Sequence, residues 1–183
     1  MEIVFIRHAE KESDEGDVGL SKKGIEQAKN LAKRMSNEKF DEFYCSCLKR
    51  SIETANIISS EIGMSPKQEC SLNEIEADLI KEEKVNWNQE QVSQYVQLST
   101  FLERFTKMAE ENKRILIIAH GNINRLILSI LLELSNKNLI RFRLLETGIS
   151  EVYWVSAFNN WRLKYWNDVS HQPEKLLEGK NKY

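Results

Sequence analysis

The sequence predicts an α/β fold: a three-layer sandwich in which helices flank a mostly parallel central sheet. Three observations carry that expectation. Glu2 to Ile6 is a short, β-branched apolar run of the kind buried on both faces of a sheet. Ile115-Leu116-Ile117-Ile118-Ala119 is a second continuous apolar run, the mark of a central parallel strand. Around these runs, strand-like segments alternate with apolar residues at helical spacing, the order that builds such layers.

Each element follows in turn. After the first strand, Ala9 to Gly19 is a polar, acidic loop, and Ser21 is placed to cap a helix with the stripe Ile25, Ala28, Leu31, Ala32 and Met35. Phe40 to Cys45 reads as a second strand. Leu48, Ile52, Ala55, Ile58 and Ile62 then recur at helical spacing until Gly63, a residue suited to ending the helix. Lys67 to Leu72 gives a weak third strand, and Asn73 to Asn88 an acidic excursion over the surface. Val92, Tyr95, Val96, Leu102, Phe105 and Met108 mark a long amphipathic helix. Ile123, Leu126, Ile127, Ile130, Leu131 and Leu134 form the helix after the central strand. Ile149 to Val155 and Trp161 to Trp166 are aromatic-rich strands joined at Asn159-Asn160 as a hairpin. The tail from Ser170 to Tyr183 is polar and lysine-rich, and a loose segment is expected there.

At 183 residues, with no repeat and no linker, one domain is expected over 1–183. The formal net charge of -2 provides no basic footprint, so nucleic acid is not an expected partner. No apolar run reaches the length of a membrane span, and the first residues lack the pattern of a secretory leader. Three cysteines, Cys45, Cys47 and Cys70, are too few for a disulfide framework, and the reading is reduced thiols in a cytoplasmic protein. The Cys45-Ser46-Cys47 spacing does not suit zinc, and neither a metal nor a cofactor is expected. A single sequence carries no signal for oligomeric state.

Open parallel sheets bind ligands beyond the carboxyl ends of their strands. Arg7-His8 follows the first strand and His120-Gly121 follows the Ile115 to Ala119 strand, so neighbouring strands would bring both histidines to one edge. One histidine at a strand end is usually structural; two at equivalent ends, one beside an arginine, point to chemistry. Arg50 falls in the first turn of a helix, where free N–H groups and the helix dipole attract phosphate and a guanidinium offers paired donors. The remaining histidine, His171, reads as solvated surface.

These residues sit in a recognisable set. Arg7-His8-Ala9-Glu10 resembles the Arg-His-Gly opening of the histidine phosphatase superfamily, the phosphoglycerate mutase-like proteins. Leu20-Ser21-Lys22-Lys23-Gly24 with Gln27-Ala28, the run Ser46 to Ala55, Leu72-Asn73-Glu74-Ile75, and Ala119-His120-Gly121-Asn122 are similar to further motifs of that family, in its order. The resemblance covers residues 3 to about 155.

It implies a phosphoglycerate mutase-like fold and a small phosphorylated substrate. His8 would be the nucleophile and form a phosphohistidine; Arg7, Arg50 and His120 would surround the phosphoryl oxygens; Glu74 would act as acid, with Glu76 and Glu10 as neighbouring candidates. Gly121 and Asn122 would add substrate contacts, Asn122 through its amide. The implied activity is that of a metal-independent phosphomonoesterase. Mutase-type transfer and dephosphorylation of phosphohistidine proteins are the alternatives, and a non-catalytic phosphate-binding module is a fourth. Two departures bear on the choice. Ala9 replaces the family's glycine, which suits only a negative φ. Glu12, Asp14, Glu15 and Asp17 crowd the first loop and would repel a bisphosphate unless they face solvent. Trp87 and Tyr95 are expected to pack rather than to touch a substrate.

Overall fold

The computed structural model describes residues 1–75 and 87–177. Six strands form one sheet in the order β3-β2-β4-β1-β5-β6: β1 Glu2–Arg7, β2 Glu42–Cys45, β3 Lys67–Gln68, β4 Arg114–Ala119, β5 Ile149–Val155 and β6 Asn160–Asp168. β3, β2, β4 and β1 run parallel, and β5 and β6 add an antiparallel hairpin at one edge. The helices are α1 Lys22–Met35, α2 Lys49–Ile62, α3 Gln89–Lys107, α4 Gly121–Leu131 and α5 Glu174–Leu177.

The continuous apolar strands are explained by two cores, one on each face of the sheet. Ile3 and Phe5 of β1, with Ile115, Ile117 and Ala119 of β4, pack against α3 and α4. Their alternate neighbours, Val4, Ile6, Leu116 and Ile118, pack against α1 and α2. Successive side chains of a strand point to opposite faces, so a strand covered on both must be apolar throughout. Local signals place the helix ends as expected. Ser21 accepts the Gly24 N–H at the start of α1, and Gly63 closes α2 at φ 70°. Asn88 and Gln91 form a reciprocal cap at the start of α3.

Four expectations need correction. The strand from Lys67 to Leu72 shrinks to two residues, because Cys70–Leu72 turns into a 3-10 helix that buries Leu72. Cys47 and Cys70 form a disulfide, leaving Cys45 as the free cysteine; the pairing is set by β2 and β3 lying side by side, which no cysteine spacing reveals. The stretch from Ser170 to Leu177 is not loose. Gln172 is buried, its amide donating to Gln27 O (2.8 Å) and Thr147 Oγ1 (2.9 Å), and Leu176 is buried near α1, where its carbonyl accepts from Gln27 Nε2. His171 likewise is half-buried, its Nε2 3.3 Å from Thr147 Oγ1, rather than solvated. In each case hydrogen-bonded polar groups enter the interior, where composition predicts solvent. Most of the expected acidic excursion, residues 76–86, lies outside the described residues, and so does the tail beyond 177.

Candidate active site

Strand register decides where the predicted residues meet. Arg7 pairs with Ala119 and Cys45 with Ile118, so β1, β2 and β4 end level with one another. The residues that follow, His8, Ser46 and His120, therefore share one edge; the His8 N–H donates to Ala119 O (2.9 Å) and the Ser46 N–H to Ile118 O (3.1 Å). The two imidazoles stand edge to face with ring centres 4.9 Å apart.

Two hydrogen bonds assign the proton of His8. Its Nδ1 lies 2.6 Å from the Ala9 carbonyl, which can only accept. Its Nε2 receives the Arg50 Nε–H at 3.2 Å, and a guanidinium can only donate. Nδ1 thus carries the hydrogen and Nε2 keeps a lone pair. Burial lowers the His8 pKa well below 6.5, with Arg7 and Arg50 adding to the effect. The ring is neutral across the physiological range. Ala9 is absent from the residues with positive φ, as its place in the motif requires, and its N–H donates to Thr54 Oγ1 (3.1 Å).

His120 is fully buried, and its Nε2 lies 2.6 Å from Ser46 Oγ. Ser46 Oγ also accepts the Leu48 N–H (3.3 Å), and its hydroxyl hydrogen can be given to His120 Nε2. With that bond made, a neutral His120 carries its own hydrogen on Nδ1, an atom that is buried and without a partner. Burial first, then the charges of His8, Arg50 and Arg7, hold this imidazole well below 6.5 too.

Arg50 is 7% exposed, with Nη1 3.8 Å from Asp17. Arg7 is half-buried: Nη1 donates to Leu144 O (2.7 Å), Nη2 pairs with Glu146 (2.8 Å), and Nε is buried without a partner. A Cβ built on Gly121 would sit 3.8 Å from that Nε, 3.8 Å from Glu74 Oε2 and 3.7 Å from Arg125 Nη1. The absent side chain keeps open the point on which these groups converge.

Glu74 meets the N-terminus of α4. Its Oε1 accepts from Asn122 N (3.2 Å), Ile123 N (3.4 Å) and Ile75 N (3.2 Å). Burial nevertheless raises its pKa above the ordinary value, against the pull of Arg7. Glu10 is engaged elsewhere, by Ser21 (2.9 Å) and Lys23 (3.4 Å), and Glu76 lies outside the described residues. The Asn122 side chain is engaged within the protein: its Nδ2 donates to Ile75 O (3.0 Å) and its Oδ1 accepts from Arg125 (3.0 Å), contacts that hold the Glu74 segment. The carboxylates of the first loop are exposed, apart from the Asp17 contact, in which Oδ1 accepts from Lys49 N (2.9 Å) at the start of α2. Trp87 and Tyr95 stack on each other at 4.9 Å and pack against the core.

Sequence reasoning missed Ser46 and Arg125 as parts of this cluster. Ser46 is the residue after β2 at the same edge as the histidines, and that position was a usable signal. Arg125 is three residues beyond Asn122 on one helix face, a spacing that brings side chains together. A separate groove, lined by Tyr95, Leu102, Ile130, Trp154 and Trp161, contains none of the cluster.

Comparison with known proteins accords with this geometry. The family model of the histidine phosphatase superfamily (branch 1) matches residues 3–169, and the chain belongs to that superfamily. It is 28% identical to phosphoglycerate mutase-like protein 4 of Arabidopsis thaliana, over 94% of this chain and 87% of that protein. A crystal structure of a phosphoserine phosphatase variant from Entamoeba histolytica with phosphoserine superposes with a TM-score of 0.77 at 22% identity, covering 93% of this chain and 98% of that one. A mycobacterial glucosyl-3-phosphoglycerate phosphatase with inorganic phosphate gives 0.76 at 18% identity, covering 94% and 99%.

Proposed function

We propose that this member of the histidine phosphatase superfamily is a metal-independent phosphomonoesterase that hydrolyses small phosphorylated metabolites through a phosphohistidine on His8. The observation that carries the proposal is the arrangement of two groups around Arg7 and Arg50: an imidazole with its lone pair on Nε2, and a buried carboxyl whose pKa burial raises. One is fit to attack and the other to donate a proton.

In the first step Nε2 of His8 attacks phosphorus in line. Arg7, Arg50 and Nδ1–H of His120 face the equatorial oxygens, where charge spreads in the transition state. Arg50 exchanges its contact with His8 Nε2 for the incoming phosphoryl group. Glu74 gives its proton to the departing alkoxide. In the second step the Glu74 carboxylate takes a proton from water as that water attacks the phosphohistidine, releasing phosphate and restoring His8. Two guanidinium groups and an imidazole N–H supply the electrostatic stabilisation that a metal provides in other phosphoryl-transfer sites.

The test is phosphate release from a panel that includes phosphoserine and phosphoglycerate, with a chelator present, beside His8→Ala. Turnover persists in chelator and falls at least a thousandfold in the variant, on the order of 4 kcal/mol of barrier. Full activity in His8→Ala overturns the mechanism. Loss of activity to chelator alone points to a metal enzyme, and phosphoryl return to substrate without release points to a mutase.

A further inference from the structure

The Cys47–Cys70 disulfide joins the two halves of the cluster. Cys47 follows Ser46, which bonds His120, and precedes Leu48, the N-cap of the helix that carries Arg50. Cys70 opens the 3-10 turn that leads through Asn73 into Glu74. The phosphate-holding segment and the acid-holding segment are thus tied by one covalent bond. Hydrogen bonds run on either side of it, from Cys47 N to Asn73 Oδ1 (2.9 Å) and from Glu69 N to Cys45 O (2.8 Å). Cys70 is exposed and Cys47 partly so, which leaves the bond open to small thiols. The third cysteine, Cys45, is fully buried, and burial pushes its thiol up to about 11, so it stays inert.

From this placement we infer that Cys47 and Cys70 form a redox modification site that sets the position of Glu74. The inference rests on the phosphomonoesterase reading. A dithiol such as dithiothreitol opens the bond by exchange: two electrons and two protons pass to the cysteines, giving two thiols, and dithiothreitol leaves as its cyclic disulfide. The fold survives that change, because β3 remains paired with β2 and Glu69 N still donates to Cys45 O (2.8 Å). What loosens is the turn from Cys70 to Asn73, which leaves Glu74 positioned from its far side alone, by Ile75 and the start of α4, and lets the carboxyl shift. The phosphate side, His8 with Arg7 and Arg50, is held by other bonds and keeps its place.

Leaving groups separate the two effects. An alkoxide needs a proton as it departs; a nitrophenolate does not. The experiment measures kcat/KM, which reports the steps through phosphoryl transfer to His8 and not the later attack of water, for phosphoserine and for p-nitrophenyl phosphate, with and without dithiothreitol, in the native protein and in Cys47→Ser/Cys70→Ser. Reduction lowers kcat/KM for phosphoserine about tenfold or more and changes that of the aryl ester less than about twofold, since only the proton given to the leaving group is lost in that step. The double variant matches the reduced enzyme and ignores dithiothreitol. Equal losses on both substrates, no loss on either, full phosphoserine turnover in the double variant, or two free thiols at these positions in untreated protein would overturn the inference. If the double variant does not fold, the native protein with and without reductant decides alone. Absence of phosphate release from both esters in both redox states refutes the phosphomonoesterase reading and the inference with it, an outcome distinct from the others.

Discussion

Two replacements of Arg50 separate its charge from its geometry. The guanidinium is nearly buried and gives its Nε–H to His8 Nε2 at 3.2 Å, so it acts on the nucleophile before substrate arrives and on the phosphoryl oxygens afterwards. Arg50→Lys keeps the positive charge but replaces a planar fork with a compact ammonium. Losing one hydrogen bond to a charged oxygen costs about 1.5–3 kcal/mol, so kcat/KM falls by roughly ten- to 150-fold. Arg50→Gln removes the charge as well. Burial and Arg7 are larger causes of the low His8 pKa, yet Arg50 contributes in the same direction, and without it the pKa moves up toward 6.5. The neutral imidazole is the reactive form. The acid limb of kcat/KM, which reports the free enzyme, therefore shifts to higher pH in Arg50→Gln and stays in place in Arg50→Lys. Initial rates of phosphate release measured down through the acid range read both effects. A lysine variant with undiminished kcat/KM, or an acid limb that moves down in Arg50→Gln, would refute the reasoning.

Three further outcomes follow from the same geometry. Ser46→Ala leaves His120 Nε2 and the Leu48 N–H without their partner, which lowers stability by about 1–3 kcal/mol and kcat about tenfold; Ser46→Thr restores both, as urea unfolding and steady-state rates can check. Gly24→Ala places a Cβ 2.0 Å from the Glu10 carbonyl oxygen, so backbone must move and the protein loses about 2 kcal/mol despite alanine's better helix propensity; an unchanged thermal midpoint contradicts this. His171 is pushed down to about 4 by burial, against the pull of Asp168. The unfolded chain binds that proton first, near 6.5, so this contribution to stability is complete above 6.5 and is lost as pH falls toward 4. Denaturant midpoints of native protein fall along that interval as pH drops, and His171→Gln lacks this part of the fall.

Much of the site was legible because it is built from residues adjacent to strand ends. Arg7-His8 and His120 each follow a continuous apolar run, and parallel strands with level registers bring such residues together regardless of the chain between them. Arg50 was legible for a related reason: the first turn of a helix after a strand faces the same edge. Glu74 was legible only through resemblance. Its partners are backbone N–H groups of Asn122 and Ile123, 48 and 49 residues further along, and no local pattern announces a contact of that kind. The contacts of the Asn122 side chain with Ile75 O and Arg125 were illegible for the same reason. Polar composition misled for the segment at 170–177, since the Gln172 amide donates to Gln27 O and the Gln27 amide to Leu176 O, across 145 and 149 positions.

By itself, then, the chain's pattern of apolar residues determined the strands, the helices and the edge at which the histidines lie. Continuous apolar runs and the helical period of 3.6 are local properties, readable within each segment. The tertiary structure alone decided which nitrogen of His8 carries the hydrogen, that Cys47 and Cys70 are joined, and that a glutamate on a connecting turn is drawn onto the start of α4. Those outcomes depend on atoms brought within about 3 Å by strand order, and hydrogen bonding at that range is invisible to any pattern read along the chain.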